Sequence, residues 1–143
     1  MVVFQKVMGL DLVGEHLPNC PPSEARPAEG RYFRFMRNGH LIADNFKSHV
    51  ELGKVAATCC KGHALSLVPG TLAAVKQRVA EQPFFRKYGL ATLSLSFTHG
   101  KLHHDQECHA SWWRPKDLSP TRIVDEQLAL LYAPTVTAIL ETK

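Results

Sequence analysis

The segment from Leu90 to Trp113, LATLSLSFTHGKLHHDQECHASWW, constrains the fold more than any other part of the chain. Ala91, Leu93, Leu95 and Phe97 alternate with Thr92, Ser94, Ser96 and Thr98, the period-2 pattern of a strand with one apolar and one hydroxylic face. A reversal at His99-Gly100 predicts a hairpin in which Phe97 faces Leu102, Ser96 faces His103 and Ser94 faces Asp105. A two-residue loop of this kind sets the register of everything beyond it. One face then carries Leu93, Leu95, Phe97, Leu102, His104 and Trp112. The other carries Ser94, Ser96, His103, Asp105, Glu107 and His109.

A second hairpin is expected at Asn38-Gly39, which lies between the aromatic run YFRFM and the apolar HLIA, because this dipeptide tolerates the positive φ angles of a type I′ turn. Val2 to Met8 reads as a first strand. Residues 15–30, rich in proline and poor in large apolar side chains, read as an irregular loop. Ser48-x-x-Glu51 has the spacing of a capping box and predicts a helix start. His63 to Val68 reads as a short strand, and Thr71 caps a helix with Leu72, Val75 and Val79 on one side. Ser119-Pro120 opens another helix, with Ile123, Val124, Leu128, Leu131 and Tyr132 as its packing stripe. TVTAILE finishes the chain as a short helix or an edge strand. Hairpins mixed with helices imply the α+β class: an antiparallel sheet of five to seven strands built from two hairpins plus additional strands, with helices packed mainly on one face. The 143 residues are expected to form a single domain, 1–143.

Lys and Arg outnumber Asp and Glu by 17 to 13. This mild basic balance permits an acidic partner without demanding one. The basic residues, among them Lys47, Lys54, Lys61, Lys76, Arg78 and Lys101, are dispersed and read as a solvated surface. Four cysteines, Cys20, Cys59, Cys60 and Cys108, accompany a start that lacks a basic n-region and a long apolar core. They are therefore expected to be free thiols in a cytoplasmic protein. No apolar run approaches the length of a membrane span.

The densest chemistry is HGKLHHDQECH at residues 99–109 and CCKGH at 59–63. A zinc site is not expected, because neither cluster has a CxxC knuckle and adjacent strand residues such as Cys108 and His109 point to opposite faces. No cofactor is expected either. An acid/base site would use His103 with Asp105, Ser94 and Ser96, since an imidazole beside a carboxylate can move protons at neutral pH. A binding surface would use Trp113 with Arg114, His109 and Glu107, and on the other hairpin Arg34 with Tyr32. The residues support first a small binding protein of inhibitor, immunity or regulatory type, acting on a protein or nucleic-acid partner through the 90–113 hairpin face and adjacent loops. The alternative is a compact histidine-dependent hydrolase or nuclease on the His103/Asp105 face.

Overall fold

The strand order of the sheet departs from the order in sequence, and that departure positions the rest of the molecule. In a computed structural model that describes residues 11–37, 40–133 and 135–142, seven strands form one antiparallel sheet. They are β1 (Arg26–Pro27), β2 (Gly30–Met36), β3 (Leu65–Pro69), β4 (Gly89–Leu95), β5 (Lys101–Gln106), β6 (His109–Trp113) and β7 (Ala129–Ala133). Their order across the sheet is β1-β5-β6-β3-β2-β4-β7. Four helices accompany them: α1 (Cys60–His63), α2 (Leu72–Glu81), α3 (Pro120–Asp125) and α4 (Val136–Thr142). The α+β class and the antiparallel sheet are as the alternating runs imply.

The turn positions differ from expectation. β4 and β5 are not a hairpin, because β2, β3 and β6 lie between them. At the end of β4 the Ser96 amide donates to Nδ1 of His99 at 2.9 Å and the His99 amide donates to the Ser96 carbonyl at 2.8 Å. This pair of bonds winds Phe97–His99 into a 3-10 turn, so Phe97 stays 53% exposed instead of joining the core. The tight hairpin forms one strand later, with Gln106 opposite His109 and Glu107-Cys108 as its turn. In a flat sheet the ends of β4 and β5 would be four strand spacings apart, ~19 Å, which a five-residue link containing a 3-10 turn does not span. The sheet therefore curls. Tyr32 of β2 meets His104 of β5 across the concave side, with Oη and Nε2 2.5 Å apart.

The second expected hairpin is likewise replaced. Asn38-Gly39 lies outside the described residues, as does the expected strand at 2–8. However, Ala43–Phe46 is a 3-10 turn, not a strand, and the neighbours of β2 are β3 and β4. Asn45 holds this turn by accepting from the Arg37 amide and donating to the carbonyls of Arg37 and His40.

Helix signals fare unevenly. Thr71 Oγ1 accepts from the Ala74 amide at 3.1 Å and α2 follows, burying Ala74, Val75 and Val79 and leaving Leu72 40% exposed. Ser119 caps α3 in the same way. That helix stops at Asp125 because Gln127 adopts φ +58°, and Leu131 belongs to strand β7. Ser48 and Glu51 do exchange both bonds of a capping box, at 2.8 and 3.2 Å. No helix grows from it: Gly53 turns left-handed at φ +74° and the segment continues as turns until α1.

Packing is in two layers. The concave side buries Tyr32, Met36, Phe46, Leu67, Leu93 and Trp112, closed by Ile123 of α3. The other side buries Phe33, Phe35, Val68 and Leu90 against Val75 and Val79 of α2 and Val136 of α4, so the two longer helices share one face. The loop at 15–30 folds back on the body and is fastened by a disulfide between Cys20 and Cys60, 40 residues apart. This overturns the expectation of four free thiols. Only Cys59, exposed, and Cys108, buried, are free.

Two outcomes follow. A Cβ on Gly100 would lie 2.2 Å from the Trp113 carbonyl oxygen at a residue with φ +100°. Gly100→Ala should therefore lower stability by roughly 1–3 kcal/mol, read as a lower urea midpoint at unchanged slope. Thiol titration under denaturation should count two thiols before reduction and four after it, and Cys60→Ser should cost about 2–5 kcal/mol.

Candidate functional site

The sheet is held together unequally. β2 pairs with β3 only through Tyr32 opposite Pro69 and Phe33 opposite Val68, whereas β3 pairs with β6 through Leu65, Ser66 and Leu67. Beyond Phe33 the two strands part, and their open main-chain groups need other partners. Arg34 supplies them. Its Nε donates to the Asn45 carbonyl and one terminal nitrogen donates to the Ser66 carbonyl, both at 2.9 Å. A guanidinium has five N–H donors, so three remain without a protein partner among the described residues. Burial lowers the Arg34 pKa to about 10, against a smaller upward effect of Tyr88. The side chain is nonetheless charged at neutral pH, and no carboxylate among the described residues pairs with it.

A cavity of about 580 Å³ opens at this parting of the strands, a size typical of small-ligand sites. Its wall is cationic: Arg34, Arg37, Lys47, Lys54 and Arg78 line it with His49 and His109, and Asp44 is the one carboxylate on it among the described residues. Asp44 is engaged by Lys47 at 2.9 Å. Arg78 lies 3.7 Å from Glu81 and over the ring of Phe85, which leaves Arg34, Arg37 and Lys54 without an ion pair among the described residues. Phe84, Phe85 and Tyr88 supply an aromatic side.

His109 enters the cavity wall from the start of β6 with one nitrogen already fixed. Asp105 Oδ1 lies 2.6 Å from its Nδ1, and Lys61 Nζ donates to Asp105 Oδ2 at 2.8 Å. Partial burial would raise the Asp105 pKa. The hydrogen bonds from Lys61 and His109, with their charges, outweigh that and hold it down to about 2. A carboxylate on Nδ1 orients the ring and leaves Nε2 for a ligand or a proton.

The other residues singled out in the sequence are dispersed by the fold. His103 shares a face with Asp105 but is not its partner: its Nδ1 is buried without a hydrogen bond among the described residues. Ser94 is exposed on β4, and Ser96 is occupied in the 97–99 turn with Thr98 and His99. Three strands lie between β4, which carries Ser94, and β5, and Ser96 sits in the turn that links the two. Glu107 is exposed in the β5–β6 turn. Trp113 is fully buried, with Nε1 donating to the Cys60 carbonyl at 3.2 Å beneath the disulfide-anchored segment. Arg114 is buried too, paired with Glu51 and bonded to the Leu118 carbonyl at 3.0 Å. Tyr32 is committed to His104, and burial raises its pKa so that it stays a neutral phenol.

Thus only Arg34 and His109 reach the cavity, and sequence reasoning missed Arg37, Lys47, Lys54, Arg78 and Phe84 as a group. No local pattern links them, since they come from five separate positions between β2 and β4. Among the described residues no group of three or more His, Cys, Asp or Glu is placed to hold a metal ion. No helix among them is long and apolar enough to cross a membrane. No family model, curated protein or solved structure matches the chain.

The depressed Asp105 pKa carries a signed consequence. The carboxyl titrates near 3.9 when unfolded and near 2 when folded, so its contribution is present above about pH 4 and lost between about pH 4 and 2. Asp105→Asn should be less stable than the parent by about 1–2 kcal/mol at neutral pH after allowance for solvent screening. Denaturation curves of the two should converge by about pH 2.

Proposed function

We propose that the protein is a small binding protein that captures an anionic group of its partner in the cavity beside Arg34. The supporting observation is that Arg34, Arg37 and Lys54 line one cavity without a carboxylate partner of their own among the described residues. Like charges gathered in a cleft repel one another and focus a positive potential, a cost that a surface built for solubility avoids by interspersing the two signs. An anion relieves it, and the three unused donors of Arg34 are suited to a forked oxyanion. This keeps the inhibitor, immunity or regulatory class and a protein or nucleic-acid partner, with the contact moved from the 90–113 face to the cavity at its edge. The cytoplasmic location expected from a start without a basic n-region implies reduced thiols, and the Cys20–Cys60 disulfide counts against it, because disulfides persist mainly in oxidising compartments.

The second reading, a hydrolase or nuclease, is favoured by one specific observation: His109, oriented by Asp105, lines the same cavity. It replaces the expected His103/Asp105 pair with Asp105/His109.

Both readings are separated by one set of variants. Labelled polyphosphate should bind the parent protein and lose affinity as salt rises. Arg34→Gln, and independently Arg37→Gln with Lys54→Gln, should weaken it roughly tenfold or more. Unchanged affinity in both would reject the anion site. His109→Ala should alter binding by less than about threefold. Phosphodiester turnover by the parent that falls about a hundredfold in His109→Ala would replace the binding reading with the enzymatic one.

A further inference from the structure

We propose that the group captured in this cavity is a nucleotide unit, its phosphate held on the Arg34 side and its base stacked on Phe84. The inference rests on the anion-binding reading and adds a second, independent observation on the aromatic side of the cavity. Phe35, buried in the sheet, stacks on Phe85 with ring centroids 4.1 Å apart and planes 13° apart, and Phe85 meets Phe84 at 4.4 Å. The three rings form a contiguous cluster from the core to the cavity, stacked between Phe35 and Phe85 and tilted by 38° between Phe85 and Phe84. Its last member, Phe84, is 55% exposed although a buried phenylalanine would contribute about 1.5–3 kcal/mol to stability.

Phe84 meets Phe85 and Tyr88 but is not among the residues packed into the core on that side of the sheet. Pro83 starts the 3-10 turn Pro83–Lys87, and the turn's packing is made by Phe85 and Tyr88. An exposed ring that extends an internal aromatic cluster, in a cavity also lined by Arg34, Arg37 and Lys54, matches the pairing of aromatic platforms and basic grooves that holds bases and phosphates together. An acidic peptide would use the cations and leave Phe84 idle. The cavity volume of about 580 Å³ accommodates one such unit.

The nucleotide could be free or part of a single strand, and the probes distinguish the two. Fluorescence anisotropy would compare a ten-residue oligothymidylate, thymidine monophosphate as competitor, and baseless polyphosphate, each with the parent protein, Phe84→Ala and Phe84→Trp. Phe84→Ala, at an exposed site, should keep the parent melting curve. It should weaken oligothymidylate by about fivefold or more while changing polyphosphate less than twofold, and Phe84→Trp should restore the loss. Competition by the monophosphate at comparable concentration assigns a free nucleotide, and its failure to compete assigns a strand. Equal loss on both polyanions in Phe84→Ala, or polyphosphate bound as tightly as oligothymidylate by the parent, overturns the nucleotide inference and leaves the anion site standing. If neither polyphosphate nor oligothymidylate binds, both fall.

Discussion

The rest of the molecule depends on an incomplete strand pairing. β2 and β3 share only two residue pairs before they separate, so the sheet consists of two ladders joined over a short seam. Main-chain carbonyls that lose a ladder partner must find another, and Arg34 bridges the gap by donating to Asn45 and Ser66. One side chain thus closes the seam, brings the Ala43–Phe46 turn against the sheet and places a fixed positive charge at the base of the cavity. The proposed anion site rests on the same residue, because a guanidinium that satisfies two carbonyls still has donors left.

The second half of the sheet is fastened by covalent and ionic links. β5 and β6 form a hairpin whose outer face carries Asp105, His109, Ser111 and Trp113. That face is covered by the segment ending in α1, with Cys60 accepting from the Trp113 indole and Lys61 donating to Asp105. The Cys20 bridge ties this cover to the proline-rich loop, and the Arg114–Glu51 pair ties the capping-box turn to the end of β6. The buried guanidinium of Arg114 has its charge met by Glu51, and one terminal nitrogen donates to the carbonyls of Pro115 and Leu118; a buried charge is tolerable when it is paired. Arg34, 80 positions earlier, has no such carboxylate among the described residues, and this contrast between the two arginines underlies the proposal that Arg34 faces a ligand.

Local chemistry by itself determined several parts of this protein. The alternation from Ala91, the Thr71 and Ser119 caps and the HALSLV run depend on residues within one turn or one strand of each other; both caps formed, the alternation held as far as Leu95, and HALSLV became a strand from Leu65 with His63 left in α1. The α+β class follows from their order. Partner choice along the sheet was decided elsewhere. Ser96 and His99 prefer a closed turn to a hairpin loop, and the Ser48–Glu51 box remains a single turn once Gly53 bends away and Glu51 meets Arg114. The site was least legible of all. Arg34 and His109 could be suspected as residue types, but their neighbours Arg37, Lys47, Lys54, Arg78 and Phe84 are dispersed along the chain and converge only because β2 and β3 diverge. Charge in a cavity depends on which carboxylates are absent from its wall, and only the tertiary structure decides that.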